Sequence, residues 1–334
     1  TINSIHQKAL DKELLKKPLA YEFQREKPTA YPAWNMDWRD RKKEPYLRIE
    51  GNGDVEIIEN GPLRCSLQIT TKAGKSVFVK VISLSKDSDI VEFTERIHWR
   101  GKGCSLKLSL NTNMDDPKAS FNWETARTER GVNQENLFEM PSRLWVDMSE
   151  DDWGVSLIED SKYGYDRPKS DTLRLTLLYT PSVRLFMGFK DQKWQDWGEH
   201  TIRYALYGHE GSYEGTDTLA RRFNQSMRTF KILEDGTSET KDDVSLLEIA
   251  DKQVGILALK KAEDTNGIVL RLYERYGSEI ESEVKFGAEI LDAREINGLE
   301  ETIGEVEFDD RTMKVKVDAN SISSYLIRLK DLKE

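Results

Sequence analysis

Arg64-Cys-Ser-Leu-Gln-Ile-Thr-Thr71 and Ser76-Val-Phe-Val-Lys-Val-Ile-Ser-Leu84 decide the fold class. Apolar and polar residues alternate in both, which gives a strand one face for a core and one for solvent. Ala73-Gly74-Lys75 lies between them, and glycine tolerates the positive φ of a tight turn, so the pair predicts a β-hairpin. The period of two continues through Ile90-Val-Glu-Phe-Thr-Glu-Arg-Ile-His-Trp99 and recurs at residues 105–111, 154–158, 172–178 and 201–207. Seven such segments with short connectors predict antiparallel sheets, each with one buried face, in a large β-sandwich. One helical pattern interrupts them at residues 216–227, with Thr216 as its N-cap and Leu219, Phe223 and Met227 on one face.

Residues 234–243 carry no large apolar side chain and read as a linker. Short strands resume at 255–260, 268–273, 313–317 and 324–329, which predicts a second, smaller sandwich. The expected organisation is a large all-β domain over 1–233, the linker, and a small β-sandwich over 244–334.

Composition narrows the function. The chain has 334 residues, 37% of them hydrophobic and 33% charged, enough apolar surface for a core without disulfides. Its net charge of −10, with the basic residues scattered, disfavours a nucleic-acid partner. The cysteines are Cys65 and Cys104 only, which fits a reducing compartment, and a cytoplasmic location is expected. No apolar run approaches a membrane span, and no membrane partner is expected. The chain opens on Thr1 rather than Met, so it is expected to be part of something longer.

Complete catalytic sites are not legible. His6, His98, His200 and His209 form no zinc-binding spacing, and no Gly-x-Ser-x-Gly elbow or phosphate loop occurs. Asp115-Asp116 and Asp151-Asp152 read as solvated turns rather than a glycosidase pair. The concentrated feature is aromatic: Tyr21, Phe23, Tyr31, Trp34, Trp38, Trp145, Trp153, Tyr163, Tyr165, Trp194 and Trp197. Rings of this kind stack on sugars while nearby Asp, Asn or Lys bind hydroxyls; the competing reading is that they fill the sandwich core.

Several stretches, in order, resemble the C-terminal half of the glycoside hydrolase family 38 α-mannosidases. Ser4-Ile-His-Gln-Lys-Ala-Leu-Asp-Lys-Glu-Leu-Leu15 is similar to that family's opening strand and turn, and Pro28-Thr-Ala-Tyr-Pro-Ala-Trp-Asn-Met-Asp37 to its Ala-Trp segment. Trp153-Gly-Val-Ser-Leu-Ile-Glu-Asp-Ser-Lys-Tyr-Gly-Tyr-Asp166 resembles "G-V-A-L-L-N-D-x-K-Y-G-Y". Gly198-Glu-His200 with Tyr204-Ala-Leu-Tyr207 and His209, then Leu259-Lys-Lys-Ala-Glu-Asp264 and Arg271-Leu-Tyr-Glu274, continue the match. Departures are Pro32 and Asn35 in place of acidic residues, Gly208 in place of proline, and Phe186-Met-Gly-Phe189 in place of a Pro-Asp pattern.

The resemblance implies a galactose-mutarotase-like supersandwich followed by a small sandwich. It also implies a parent enzyme that hydrolyses α-mannosides with retention, using zinc and paired carboxylates. Those groups belong to an N-terminal catalytic domain, so no catalytic or metal-binding residue is expected in this chain. The expected partners are that catalytic domain and an α-mannoside oligosaccharide. Tyr21 is the implied sugar contact, and Lys162, Tyr163, Tyr165 and Asp166 form a second candidate loop; Trp34 with Asp37 reads as interface or core. Without the catalytic domain an apolar face should lie bare, and a homo-oligomer is expected. Two other readings remain open: a stand-alone carbohydrate-binding module, and a sugar epimerase using His200 or His209 with Glu199 or Glu210.

Overall fold

A computed structural model describes residues 2–32, 34–51, 53–182, 195–230 and 245–330. The linker expected at 234–243, Trp194 and the Phe186–Phe189 stretch lie outside the described residues. The chain divides into two compact units, Thr1–Trp123 with Arg127–Ser226, and Met227–Glu334 with Glu124–Ala126. Both are built almost wholly of antiparallel strands.

In the first unit one sheet has nine strands. Its spatial order is Ala126–Glu129, Lys118–Trp123, Trp145–Ser149, Trp153–Glu159, Gly198–Glu210, Ile90–Trp99, Ser76–Ser85, Arg64–Ala73 and Asp54–Asn60. The predicted hairpin lies near its far edge, closed by the Ala73–Ser76 pair with Gly74 at φ 59°. The second sheet has six strands, in the order Met140–Pro141, Gly164–Lys169, Thr172–Thr180, Cys104–Asn111, Ala20–Arg25 and Leu47–Ile49. Their facing sides form the core. Tyr21, Phe23, Leu106, Leu108 and Leu175 come from the six-stranded sheet; Phe78, Phe93, Ile97, Trp99 and Tyr204 come from the other. Rings interlock there: Tyr21 lies 4.8 Å from Phe78, and Phe93 stacks on Tyr204 at 4.8 Å.

The helix differs from its expected form. It spans Thr216–Asn224, is capped by Gly215, and Thr216 is its first residue rather than its cap. The Thr216 hydroxyl is turned inward onto Ser156 Oγ at 2.6 Å, so a different hydrogen bond claims the capping group. Ala220 and Phe223 are its buried apolar residues, whereas Met227 lies beyond the helix and is 97% exposed.

The second unit packs a four-stranded sheet and a five-stranded sheet around Leu270, Leu272, Val284, Met313, Val315, Val317 and Ile327. The four expected strands are present as Val254–Lys261, Ile268–Glu274, Thr312–Val317 and Ile322–Leu329. Ile280–Phe286 and Ile290–Ile296 add two that the sequence pattern did not isolate.

Candidate functional site

The outward side of the six-stranded sheet is the unusual surface of the first unit. Alternation places Glu22, Gln24, Lys107, Ser109, Arg174, Thr176 and Asp166 there, where solvent would be expected. All but Thr176 are buried, because the segment that carries the short helix Trp38–Arg41 folds across them. Ions held away from water must be paired, and these are. Arg174 donates to Asp166 through Nε at 3.0 Å and through Nη2, and to Glu22 through Nη1 at 3.0 Å. Lys107 Nζ donates to Glu139 at 2.7 Å and lies 3.3 Å from Asp166. Arg41 Nη2 donates to Glu26 at 2.8 Å and lies 3.4 Å from Glu139. Arg41 Nη1 lies 3.8 Å from Asp166, and Asn133 Nδ2 donates to it at 3.0 Å.

Electrostatics follow from this packing. Burial alone would raise the Asp166 carboxyl, but Lys107, Arg174 and Arg41 outweigh it and hold the group well below the usual carboxylate range. Burial also pushes Lys107 down, with the neighbouring Arg41 charge adding to it. Glu26 moves up because burial exceeds the help from Arg41 and Lys107.

Tyr21 faces the other way, into the core, and is 5% exposed. Its hydroxyl donates to Glu95, which also accepts from Tyr204 at 2.7 Å and lies 3.3 Å from Lys80. The Lys162-to-Asp166 stretch is not one loop. Gly164–Lys169 is a strand, so Tyr165 and Asp166 are fully buried on its opposite faces, while Lys162 is half-buried and Tyr163 is 50% exposed. Arg174 on the neighbouring strand sits directly across from Asp166 and draws it into the sheet. Beside them Glu159, also buried, accepts from the Lys162 amide at 2.7 Å, yet burial pushes its carboxyl up to about 7.

The histidines lie apart, each with its own partner. His6 meets Asp11 at 3.2 Å, His98 pairs with Glu199, and His200 lies 2.6 Å from the Asp196 carbonyl. His209 is buried with Nε2 2.7 Å from Asp147, whose same oxygen accepts from Ser156. Glu199 is taken up by His98, and His209 by Asp147, so neither His200 nor His209 has Glu199 or Glu210 as its ion-pair partner among the described residues. Among the described residues no three His, Cys, Asp or Glu side chains converge as a group that could hold a metal ion.

Two open surfaces remain. Trp34, expected in interface or core, is 75% exposed and stacks on Tyr31 at 5.5 Å. It lines a groove of about 560 Å³ with Asn35, Asn136, Glu139, Gly164 and Tyr179, a mixture of rings and hydrogen-bonding tips suited to sugar. The second is apolar. Ile57, Leu67, Ile82 and Phe93 pair across four strands in one row, and residues directly opposite share a sheet face. Exposure falls along it from 65% at Ile57 to 40% at Leu67 and 1% at Phe93. The core face of the nine-stranded sheet therefore runs on past its cover, with Val55 and Leu84 also bare. The signal was present in the period-two pattern of 64–84, which gives no sign of where the covering sheet ends.

Comparison with known proteins agrees with this architecture. The glycosyl hydrolases family 38 C-terminal domain matches residues 1–183, and the family 38 C-terminal β-sandwich domain matches residues 253–325. Alpha-mannosidase G of Dictyostelium discoideum is 27% identical over 289 residues, 81% of this chain and 25% of that protein. The alpha-mannosidase of Saccharomyces cerevisiae is 24% identical over 284 residues, 76% of this chain and 25% of its own. The chain thus spans about a quarter of the length of these relatives. An α-mannosidase structure from Enterococcus faecalis V583 superposes on 97% of this chain and 40% of its own, with a TM-score of 0.79 at 17% identity. A family 38 structure from Enterococcus faecalis covers 97% of this chain and 42% of its own, with a TM-score of 0.77 at 17% identity. With the matched domain covering more than half of its residues, and the two-sandwich order reproduced, the chain belongs to glycosyl hydrolase family 38.

Proposed function

We propose that this chain forms the C-terminal β portion of a retaining, zinc-dependent α-mannosidase and works together with a catalytic portion carried on further polypeptide. The observation that carries the reading is the family match at both ends of the chain. Zinc would supply a Lewis acid for sugar hydroxyls, and its ligands would come from the catalytic portion. This chain contributes a rigid scaffold and two surfaces. The bare row from Ile57 to Leu67 packs against the catalytic portion, because apolar area of this kind is costly to leave in water. The groove at Trp34 borders the oligosaccharide.

Of the five residues singled out by sequence, Lys162 and Tyr163 have side chains that can reach a ligand. Tyr21, Tyr165 and Asp166 act by holding the sheets. The test is an aryl α-mannoside assay with added zinc, run beside calorimetry with a mannose disaccharide. The chain alone should give no hydrolysis, and the chain joined to its catalytic portion should. Hydrolysis by the chain alone defeats the proposal. Tight mannoside binding by the isolated chain, with no effect on any mannosidase, would select the stand-alone binding module.

A further inference from the structure

A cleft of about 680 Å³ opens on the first unit where Ala20–Arg25 and Thr172–Thr180 meet the Trp38–Arg41 helix. Its lining inverts the charge of the molecule. Eight cationic side chains face it against four carboxylates, in a chain of net charge −10. Some of these cations are neutralised: Lys16 by Asp171 at 2.9 Å, Lys43 by Asp40 at 3.4 Å, Arg48 by Glu22 and Glu50, and Arg174 by Asp166. Lys17, Lys42 and Lys169 form no such ion pair among the described residues, although Lys169 lies near enough to Asp171 to help lower its carboxyl. Arg41 also lines the cleft, buried, with its charge met by Glu26, Glu139 and Asp166, yet its Nε and Nη1 make no hydrogen bond. A buried guanidinium with two unused donors, in a cleft lined also by three ammonium groups outside any ion pair, leaves donors without acceptors.

We propose that this cleft binds a phosphate-bearing ligand of sugar size. A multiply charged oxyanion supplies what the cleft lacks, several acceptor oxygens and more than one negative charge, where a single carboxylate would leave ammonium groups unmatched. The volume is that of a small-molecule site and leaves room beyond the phosphate for the group that carries it. Half-buried Trp38 lines the same cleft and offers a ring surface to that group. The site is separate from the Trp34 groove and does not depend on the mannosidase reading.

Calorimetric titration of the full chain with inorganic phosphate, at ionic strength held constant with chloride, tests it. The triple variant Lys17→Ala, Lys42→Ala, Lys169→Ala removes only exposed, unpaired cations, so its melting temperature should match the parent. A second variant, Lys72→Ala, Lys75→Ala, Lys86→Ala, removes the same charge from exposed positions outside the cleft. Parent and second variant should bind alike, and the triple variant about tenfold more weakly, three small charge terms added together. A hexose monophosphate that binds more tightly than phosphate identifies an ester as the ligand; equal binding identifies the free ion. No saturable binding by the parent, or equal loss in both variants, overturns the proposal.

Discussion

Glu159→Gln should stabilise the first unit, and only above mildly acidic pH. The carboxyl is buried, accepts the Lys162 amide through one oxygen, and has no partner for the other. Burial raises it from 4.5 to about 7. A folded-state value above the unfolded one means that the linked stability is fully present below pH 4.5. It is then lost as pH rises through about 7. Each pH unit in that window carries ~1.4 kcal/mol, so ionisation costs on the order of 3 kcal/mol at pH 8. Glutamine keeps an acceptor for the amide and never ionises. The variant should therefore melt with the parent at pH 4.5 and above it by about 6–12 °C at pH 8. Tryptophan fluorescence isolates the right unit, because all eight tryptophans precede residue 198. A difference that does not change with pH, or a parent more stable than the variant at pH 8, would refute the reasoning.

Four further outcomes follow from the same structure. Asp166→Ala leaves Arg174, Lys107 and Arg41 buried without their shared anion, and chemical denaturation should show a loss of about 3–5 kcal/mol. Removing the charge and its main partner together, as Asp166→Leu with Arg174→Leu, should cost less than Asp166→Ala alone. Tyr21→Phe deletes one of the hydroxyls on Glu95 and should lower stability by about 1–3 kcal/mol while leaving KM of the assembled enzyme unchanged. Trp34→Ala should keep stability within about 0.5 kcal/mol of the parent, because the ring is exposed, and should raise KM for oligosaccharides in the assembled enzyme.

The parts of the fold legible in sequence are those where polar residues really do meet water. Residues 64–84 alternate cleanly and pair as expected. In Cys104–Asn111 the alternation is equally clean, but Lys107 is 0% exposed as a side chain because a folded-over segment supplies Glu139. Period two identifies a strand there and misreports what covers it. Gly164–Lys169 is not legible because Tyr-Gly-Tyr-Asp-Arg-Pro has no alternation of its own; the strand is defined by its pairing with Thr172–Thr180 and Met140–Pro141. Asp54–Asn60 was missed for a different reason, three acidic residues among its apolar ones on an edge with one neighbour. For the site, sequence located the aromatic residues but not their exposure. Tyr21 is buried and Trp34 exposed, because burial is set by which sheet lies opposite, a property of tertiary packing rather than of either ring.

The most direct test of the central claim is reconstitution. Titrating this chain into a separately produced catalytic portion of the same enzyme should raise kcat/KM for an aryl α-mannoside until the two are equimolar. The variant Ile57→Asp, Leu67→Asp should fail to do so while keeping its melting temperature. A catalytic portion fully active without this chain, or a rise undiminished by that variant, would contradict the account.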